Sequence, residues 1–287
     1  MSTVIPNLDS EMKIVWRNRL SLPKMSRSQA AALIALVLVN MIALLAPVLA
    51  PHNPITPVGS PLIAPNADNL FGTDAAGRDI LSRCLFGLRT SWFAALAVIA
   101  FGLLFGGTIG VVAGALGGWV DNVLMRITDL FLALPAPIMA VAVVSAMGAS
   151  LTHTLIGISV VWWPYYARIV RTEVRQLVVQ PYIHAARLSR LGTARLWGRH
   201  LLPGVVPTIL IAASLDVGGL IVTLSGLSFI GLGAPQPAPE LGGMAFSGIP
   251  FLLNAAWVPL FPGIAVFLLA FIANKAGDAL RSLFVDR

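Results

Sequence analysis

A basic segment with four of the sixteen arginines lies between two strongly apolar stretches of the sequence. Residues 182–207 carry four arginines, at positions 187, 190, 195 and 199, and no acidic residue. Charges in this number are too costly to lie in hydrocarbon. Guanidinium groups bind carboxylates and phosphates, so we interpret the segment as a docking surface for acidic groups of a partner or for lipid headgroups.

Motifs for catalysis are absent from the sequence. It has no G-x-x-x-x-G-K-[ST] loop for ATP, no H-E-x-x-H pair for zinc and no G-x-S-x-G elbow for a nucleophilic serine. The four histidines have no metal-ligand spacing, and a single cysteine, Cys84, excludes an internal disulfide. We therefore expect neither an enzyme nor a metal site in this chain.

Two aspartates fall inside apolar stretches, where a carboxylate is costly and faces a bundle interior or a water-filled path. Asp129 stands three residues after Arg126 and is expected to form a structural pair with it, the alternative being a pathway role. Asp216 has no charged neighbour in sequence, so pathway lining and packing both stay open. Four nearby aromatic residues are expected to form an interfacial belt, the alternative being a pore lining: Trp162, Trp163, Tyr165 and Tyr166.

The elements that must position these residues are membrane helices. The 287 residues are 57% hydrophobic and 11% charged, with a mean hydropathy of +0.85, whereas soluble domains carry about 25% charged residues. Apolar runs of about 20 residues indicate helices rather than a barrel. The expected fold class is therefore an all-α integral membrane protein.

We place six spans along the chain, after a polar and basic segment of residues 1–28 that we interpret as cytoplasmic. Residues 29–287 are then a single transmembrane domain, and we expect no cleaved signal peptide. The spans are predicted at residues 30–50, 91–117, 123–147, 153–170, 205–232 and 256–274, with a long loop at 171–203.

The placement of lysine and arginine predicts the orientation of these spans. With the N-terminus inside, sixteen of the 19 Lys and Arg residues lie on the cytoplasmic side, and Arg78, Arg83 and Arg89 lie on the other. Positive charge accumulates in cytoplasmic loops. Both termini and the 171–203 loop are therefore predicted to be cytoplasmic.

Residues 71–83 lie outside the cytoplasm in this topology and have the pattern of a short helix. Thr73 or Asp74 would cap its start. A structural role, in which the helix covers the end of the bundle, and a contact with a binding protein both stay open. The candidate contact residues are Thr73, Asp74, Gly77, Arg78 and Asp79.

One glycine, Gly192, separates the docking segment into two parts. Residues 178–190 are expected to form a short helix in which Ala185 and Ala186 give a low surface that a partner backbone can approach closely. Gly192 ends this helix, since glycine costs about 1 kcal/mol relative to alanine within a helix. Pro203 marks the return into the membrane.

Several motifs, in order along residues 71–281, resemble those of a known family. The 182–207 segment resembles the cytoplasmic coupling loop, or EAA loop, of permease subunits in binding-protein-dependent ABC importers. The dipeptide, oligopeptide and nickel permeases are the most similar group. The matching motifs are FGTDAAGRDILSR at 71–83, MRITDLFLALP at 125–135, LSFIGLG at 227–233, FPG at 261–263 and GDALR at 277–281.

This resemblance implies a six-helix permease of the type I ABC importer fold in a bacterial inner membrane. Implied partners are a second, homologous permease, an extracytoplasmic substrate-binding protein, and two ATPase subunits or domains that bind ATP and Mg. The cargo implied is a peptide, nickel or another metal chelate, glutathione or an opine. The residues implied to contact the ATPase are His184, Ala185, Ala186, Arg187, Arg190, Gly192, Arg195, Arg199 and Pro203.

Two positions depart from the family pattern. His184 stands where an acidic residue is usual, and Arg190 stands where the motif has its glycine. The docking contacts, rather than the role, are therefore expected to differ. The alternative function is a secondary transporter driven by an ion gradient, although no internal repeat of the kind found in such transporters is visible.

Overall fold

The computed structural model describes residues 25–188 and 192–285, and these form helices joined by turns and loops. In chain order the helices are α1 (Arg27–Leu49), α2 (Ile80–Phe101), α3 (Gly107–Leu116), α4 (Gly118–Leu132), α5 (Ala136–Met147), α6 (Leu151–Val178), α7 (Pro181–Leu188), α8 (Thr193–Leu196), α9 (Leu202–Phe229), α10 (Leu241–Gly248) and α11 (Trp257–Val285). The π-helical turns Gly102–Gly106 and Trp197–Leu201 join α2 to α3 and α8 to α9.

Four helical stretches in the described part of the chain are long and apolar enough to cross a membrane. They are Arg27–Leu49, Ile80–Leu116, Trp197–Phe229 and Trp257–Leu283. The pair α4 and α5 passes the same test together but is bent by 83°. Polar and charged side chains lower the hydropathy of α6, which is not among the four although it has 28 residues. Six spans with both termini inside stay a prediction.

The separate helix predicted within residues 71–83 is wrong. Residues 71–79 form a loop, and α2 runs from Ile80 without interruption into the span predicted at 91–117. Asp79 caps α2 by accepting hydrogen bonds from the backbone N–H and the hydroxyl of Ser82, both at 2.7 Å. Thr73 and Asp74 do not cap the helix, because their side chains already bind loop backbone.

Three other predicted spans also differ from the helices, and one of them is the last, which was predicted at 256–274 but continues as α11 to Val285. The span predicted at 123–147 is the bent pair α4 and α5, because Pro135 cannot donate a hydrogen bond and disfavours helix in the residue before it. The fourth span continues as α6 to Val178, so the first residues of the predicted 171–203 loop belong to this helix.

Two apolar clusters hold the helices together. The larger joins α1, α2, α5, α6, α9, α10 and α11. The smaller, called here the inner cluster, lies at the end of the bundle that carries the α3–α4 turn and α7, which we call the α7 end. Its members are Val111, Val170, Val174, Ile183, Ala186, Leu196, Leu201 and Val205. The opposite end, with residues 50–79 and α10, is called the α10 end.

A row of glycines lets the helix α2–α3 approach α6 closely. They are spaced four residues apart, at positions 102, 106, 110 and 114. A Cβ atom at Gly106 would lie 2.1 Å from the carbonyl oxygen of Trp163, and one at Gly110 would lie 2.5 Å from that of Ala167. Small residues at this spacing are a usual means of close helix packing in membranes. The lack of side chains at these glycines therefore determines how closely α6 packs against α2–α3.

Gly106→Ala is expected to lower stability by about 1–3 kcal/mol, the usual cost of overpacking, because the backbone carbonyl it meets cannot rotate away. Gly107→Ala is the matched control, since a Cβ there meets only Val170 Cγ2 at 3.9 Å, and it should change stability by less than about 1 kcal/mol. The midpoint of thermal unfolding in detergent measures both. Equal midpoints would contradict the close contact.

Candidate functional site

The short helix α7 lies with one side against the bundle and the other side open. Ile183 and Ala186, three residues apart, are buried in the inner cluster. On the other side Tyr182 is half-exposed and Leu188 is 85% exposed. A helix this short is marginal alone, so the buried pair anchors it. The exposed side chains of Tyr182 and Leu188 can contact another protein.

The low surface predicted at Ala185 and Ala186 is divided between these two sides. Ala186 packs into the inner cluster and does not face outwards as predicted. The reason is helical geometry, because Ala186 lies almost one turn after the buried Ile183 and so shares its face. Ala185 and His184 lie on the exposed side.

The remaining residues of the predicted docking segment lie around α7 and α8. The backbone of Arg187 belongs to α7, and Arg190 lies outside the described residues. Gly192 caps the start of α8, where its carbonyl oxygen accepts a hydrogen bond from the backbone N–H of Leu196 at 3.0 Å. Three further members are exposed, namely Arg195, Arg199 and Pro203.

A buried carboxylate ties the α3–α4 turn to α6. Asp121 is 1% exposed and accepts hydrogen bonds from two nitrogens of Arg171 and one of Arg175. Such charge-assisted, bidentate contacts are among the strongest in proteins. Sequence reasoning missed this group. The available signal was the Gly117-Gly118 turn just before the aspartate, together with two arginines one helical turn apart.

Asp129 pairs with Arg168 of α6, at 2.6 Å, and the predicted pairing with Arg126 is wrong. An ion pair between two residues of one exposed helix stabilises the helix by only about 0.2–0.5 kcal/mol. An arginine from a neighbouring helix can therefore replace the arginine of such a pair. The side chains of Arg168 and Asp129 are 54% and 52% exposed. This pair is therefore open to its surroundings, unlike that of Asp121.

Asp216 lies within α9 and is held by two aromatic donors of α6. The indole N–H of Trp162 and the hydroxyl of Tyr166 both donate to its Oδ2 atom, the second at 2.8 Å. Tyr166 and Trp163 are buried, so these two do not belong to the predicted interfacial belt, because the glycine row packs against them. The packing role of Asp216 thus has described partners, and its pathway role stays a prediction.

A second buried network closes the α10 end. Arg83 is fully buried and donates to the carbonyl oxygens of Pro54 and Pro237, at 2.7 and 3.1 Å, and to the side chain of Gln236 at 3.1 Å. Its Nε atom lies 3.4 Å from Asp74. The arginine therefore joins the loop before α2 to the loop before α10.

The candidate binding-protein contacts of residues 73–79 are used inside the chain. Thr73 hydrogen-bonds loop backbone, and Gly77 has a φ of +75° with a carbonyl oxygen 2.2 Å from the position of a Cβ atom. Arg78 donates to Asp74 at 2.8 Å, and Asp79 caps α2. These contacts support the structural role, and a contact with a binding protein stays a prediction.

Glu240 is a buried acid that sequence reasoning also missed. It begins α10 by accepting hydrogen bonds from the backbone N–H groups of Gly242 and Gly243, at 3.1 and 2.8 Å. Ser91 of α2 donates to it at 3.4 Å. Burial raises the pKa of Glu240, although these donors act in the opposite direction. The side chain therefore fastens α10 to α2.

The described residues offer no metal site, since no three His, Cys, Asp or Glu side chains among them come together. The ring of His153 hydrogen-bonds the carbonyl oxygen of Gly148 at 2.8 Å. His52 lies 3.9 Å from Asp79, and Cys84 is buried. His52 and His153 therefore make local contacts.

Known proteins resemble this chain over most of its length. The family model described as binding-protein-dependent transport system inner membrane component matches residues 106–287. The dipeptide transport system permease protein DppC of Alkalihalophilus pseudofirmus is 35% identical over 271 residues, which cover 93% of this chain and 88% of that protein. The nickel transport system permease protein NikC of Escherichia coli K12 is 36% identical over 251 residues, which cover 87% and 91%.

A solved structure has the same fold. A chain of the MetNI methionine ABC transporter, in an inward-facing conformation, matches with a TM-score of 0.58. It is 19% identical in sequence, and the match covers 71% of this chain and 97% of that one. At this identity the likeness concerns the fold alone.

Asp121→Asn is expected to lower stability by about 2–3 kcal/mol, less than the about 3–5 kcal/mol for a fully buried pair, because both arginines are partly exposed. Asp129→Asn is the same change on the same helix at the exposed pair, and it should cost less than about 1 kcal/mol. Thermal unfolding of the two purified variants compares them. A larger loss from Asp129→Asn would show that burial does not set the strength of the two pairs.

Proposed function

Because the chain belongs to the family of binding-protein-dependent transport system inner membrane components, we propose that it is one of two permease subunits of an ATP-driven importer. It is a multi-pass inner-membrane permease component. In the proposed importer it forms half of the translocation pathway. Two ATPase subunits or domains bind ATP and Mg, and an extracytoplasmic binding protein delivers the cargo.

The arrangement of α7 is the observation that supports coupling to an ATPase. This helix is anchored through Ile183 and Ala186 to the inner cluster, which also contains residues of α3, α6 and α9. Its other side exposes Tyr182 and Leu188. A partner that binds the exposed side and moves would therefore move the long helices, and Asp121 would carry the α3–α4 turn with them.

The proposed cargo is a peptide, or nickel or another metal chelate. The relatives that support it are a dipeptide permease and a nickel permease, at 35% and 36% identity. These two cargoes share little chemistry beyond being polar. The choice between them is proposed to rest mainly with the separate binding protein.

Co-purification tests the proposed assembly. A tagged copy of the chain, solubilised gently from its native membranes, is expected to bring with it a second permease, ATPase subunits and a binding protein, which mass spectrometry identifies. The ligand of that binding protein would name the cargo. Recovery of the chain alone, with uptake that resists ATP depletion but stops with an uncoupler, would favour a secondary transporter instead.

Leu188→Glu is expected to lower the amount of ATPase that co-purifies by about tenfold or more, because an unpaired charge in an apolar contact costs several kcal/mol. Leu188→Met keeps the contact apolar and should recover the normal amount. Both variants should unfold at the same temperature as the unmodified chain, since Leu188 is 85% exposed. Normal ATPase recovery with Leu188→Glu would count against docking at α7.

A further inference from the structure

An ion pair stands half-exposed between α4 and α6. The Nη2 atom of Arg168 lies 2.6 Å from Oδ1 of Asp129, and both side chains are about half accessible. The described contacts include one hydrogen bond of this guanidinium group, although the group has five N–H donors. The carboxylate of Asp121, in contrast, is enclosed by two arginines. The exposed pair can therefore form further hydrogen bonds.

Arg168 of this pair lines a cavity between α4, α6 and α9. The cavity has a volume of about 460 Å³, within the range of about 300–1,000 Å³ that is typical of small-molecule sites. Five of its seven lining residues have polar or charged side chains, namely Tyr165, Arg168, Thr172, Glu173 and Thr208, although apolar atoms form most of the exposed lining. Positive and negative groups and three hydroxyls therefore face one space.

The exposed side of α6 next to this cavity is too polar to face lipid hydrocarbon. Charged side chains in membrane segments face the bundle interior or a water-filled space, because hydrocarbon solvates them poorly. The exposed positions of α6 include Tyr165, Arg168, Thr172 and Arg175. Since they recur every three or four residues, they form one polar stripe along the helix. This side of α6 therefore borders water or a polar partner.

Asp216 differs from Asp129 in what its carboxylate already binds. Two donors, from Trp162 and Tyr166, occupy it, and one of them is fully buried. Asp129 has only the exposed Arg168 among its described side-chain partners. Exposed ion pairs are weak, so this one can open for a ligand at small cost.

We propose that the cavity binds the charged groups of a zwitterionic cargo, a small molecule with one carboxylate and one ammonium group. Arg168 receives the carboxylate in a bidentate contact, and Glu173 of the lining receives the ammonium group, with Asp129 next to Arg168. The hydroxyl groups of the lining bind the remaining polar atoms. The inference rests on the proposed function, because a cargo reaches this cavity only if the chain lines a pathway.

Cysteine reactivity tests whether water fills the cavity. The chain has one cysteine, so Cys84→Ser gives a background without thiols, into which Thr172→Cys or Thr208→Cys is placed. The purified complex, in liposomes, is treated with a charged methanethiosulfonate reagent that cannot cross the membrane. Phe267→Cys is the control, since Phe267 is an exposed apolar residue of α11. The mass of this chain reports labelling.

The cavity cysteines are expected to react at least about tenfold faster than Phe267→Cys, because the reagent attacks thiolates in water. Equal rates at the three positions would overturn the inference. Such a result would mean that the cavity is covered by lipid or by protein.

Protection from labelling tests the class of cargo. Glycyl-leucine carries both charges at neutral pH, whereas its N-acetyl amide carries neither. We expect glycyl-leucine to slow the labelling of Thr172→Cys and the neutral derivative to leave it unchanged. Protection by both compounds, or by neither, would overturn the assignment of a zwitterionic cargo.

Two arginine variants test whether Arg168 itself is needed for protection by glycyl-leucine. Arg168→Gln should raise the glycyl-leucine concentration needed for protection by about tenfold or more, because a charge-assisted contact is lost. Arg126→Gln changes another exposed arginine, on α4 and outside the cavity lining, and should leave the concentration unchanged. Equal effects of the two variants would contradict a direct role of Arg168.

ATP hydrolysis by the same preparation separates this inference from the proposed function. If the complex hydrolyses ATP while the cavity cysteines stay unreactive or unprotected, only the cavity assignment fails. If the chain purifies without an ATPase, the importer assignment itself fails.

Discussion

The close approach of α3 to α6 sets the geometry of the whole α7 end. At Gly106 and Gly110 a side chain would meet backbone atoms of α6, so only glycine permits this separation. At this distance Asp121, just past the α3–α4 turn, reaches Arg171 and Arg175. The inner cluster on which α7 rests is built from the same two helices together with α9. The ion pairs of Asp121 and the anchoring of α7 therefore both depend on the lack of a side chain at Gly106 and Gly110.

Charged groups serve two purposes in this chain, and burial separates them. Asp121 and Arg83 are enclosed and hold several partners each, so they fasten turns and loops to helices at the two ends of the bundle. A buried charge that lost its partners would cost several kcal/mol, which favours the persistence of these contacts. Asp129 and Arg168 are half-exposed, and water can replace either partner. The enclosed groups therefore hold the two ends of the bundle, whereas the exposed pair between α4 and α6 can exchange partners.

Residue types and spacing predicted the helical membrane class, the family and a short helix after α6, because apolar runs and ordered motifs are local signals. Several predictions that needed a neighbour in space were wrong. Asp129 was assigned to Arg126, three residues away, whereas its partner stands 39 positions later. The side on which Ala186 lies depends on how α7 is rotated against the bundle, which no local pattern contains. Glu240 was missed for a similar reason, since Ser91 lies far away in sequence.

The bend between α4 and α5 has a consequence for the proposed pairing with a second permease. Helical hydrogen bonding is interrupted around residues 133–135, which are exposed, and the chain turns there by 83°. Polar backbone groups left in hydrocarbon are unfavourable, so a solitary copy whose bend lies within the bilayer would be poorly solvated at this corner. A second permease that covers the bend would remove the cost. The survival of each copy in the membrane would then depend on how soon it finds its counterpart, which ties the amounts of the two subunits to one another.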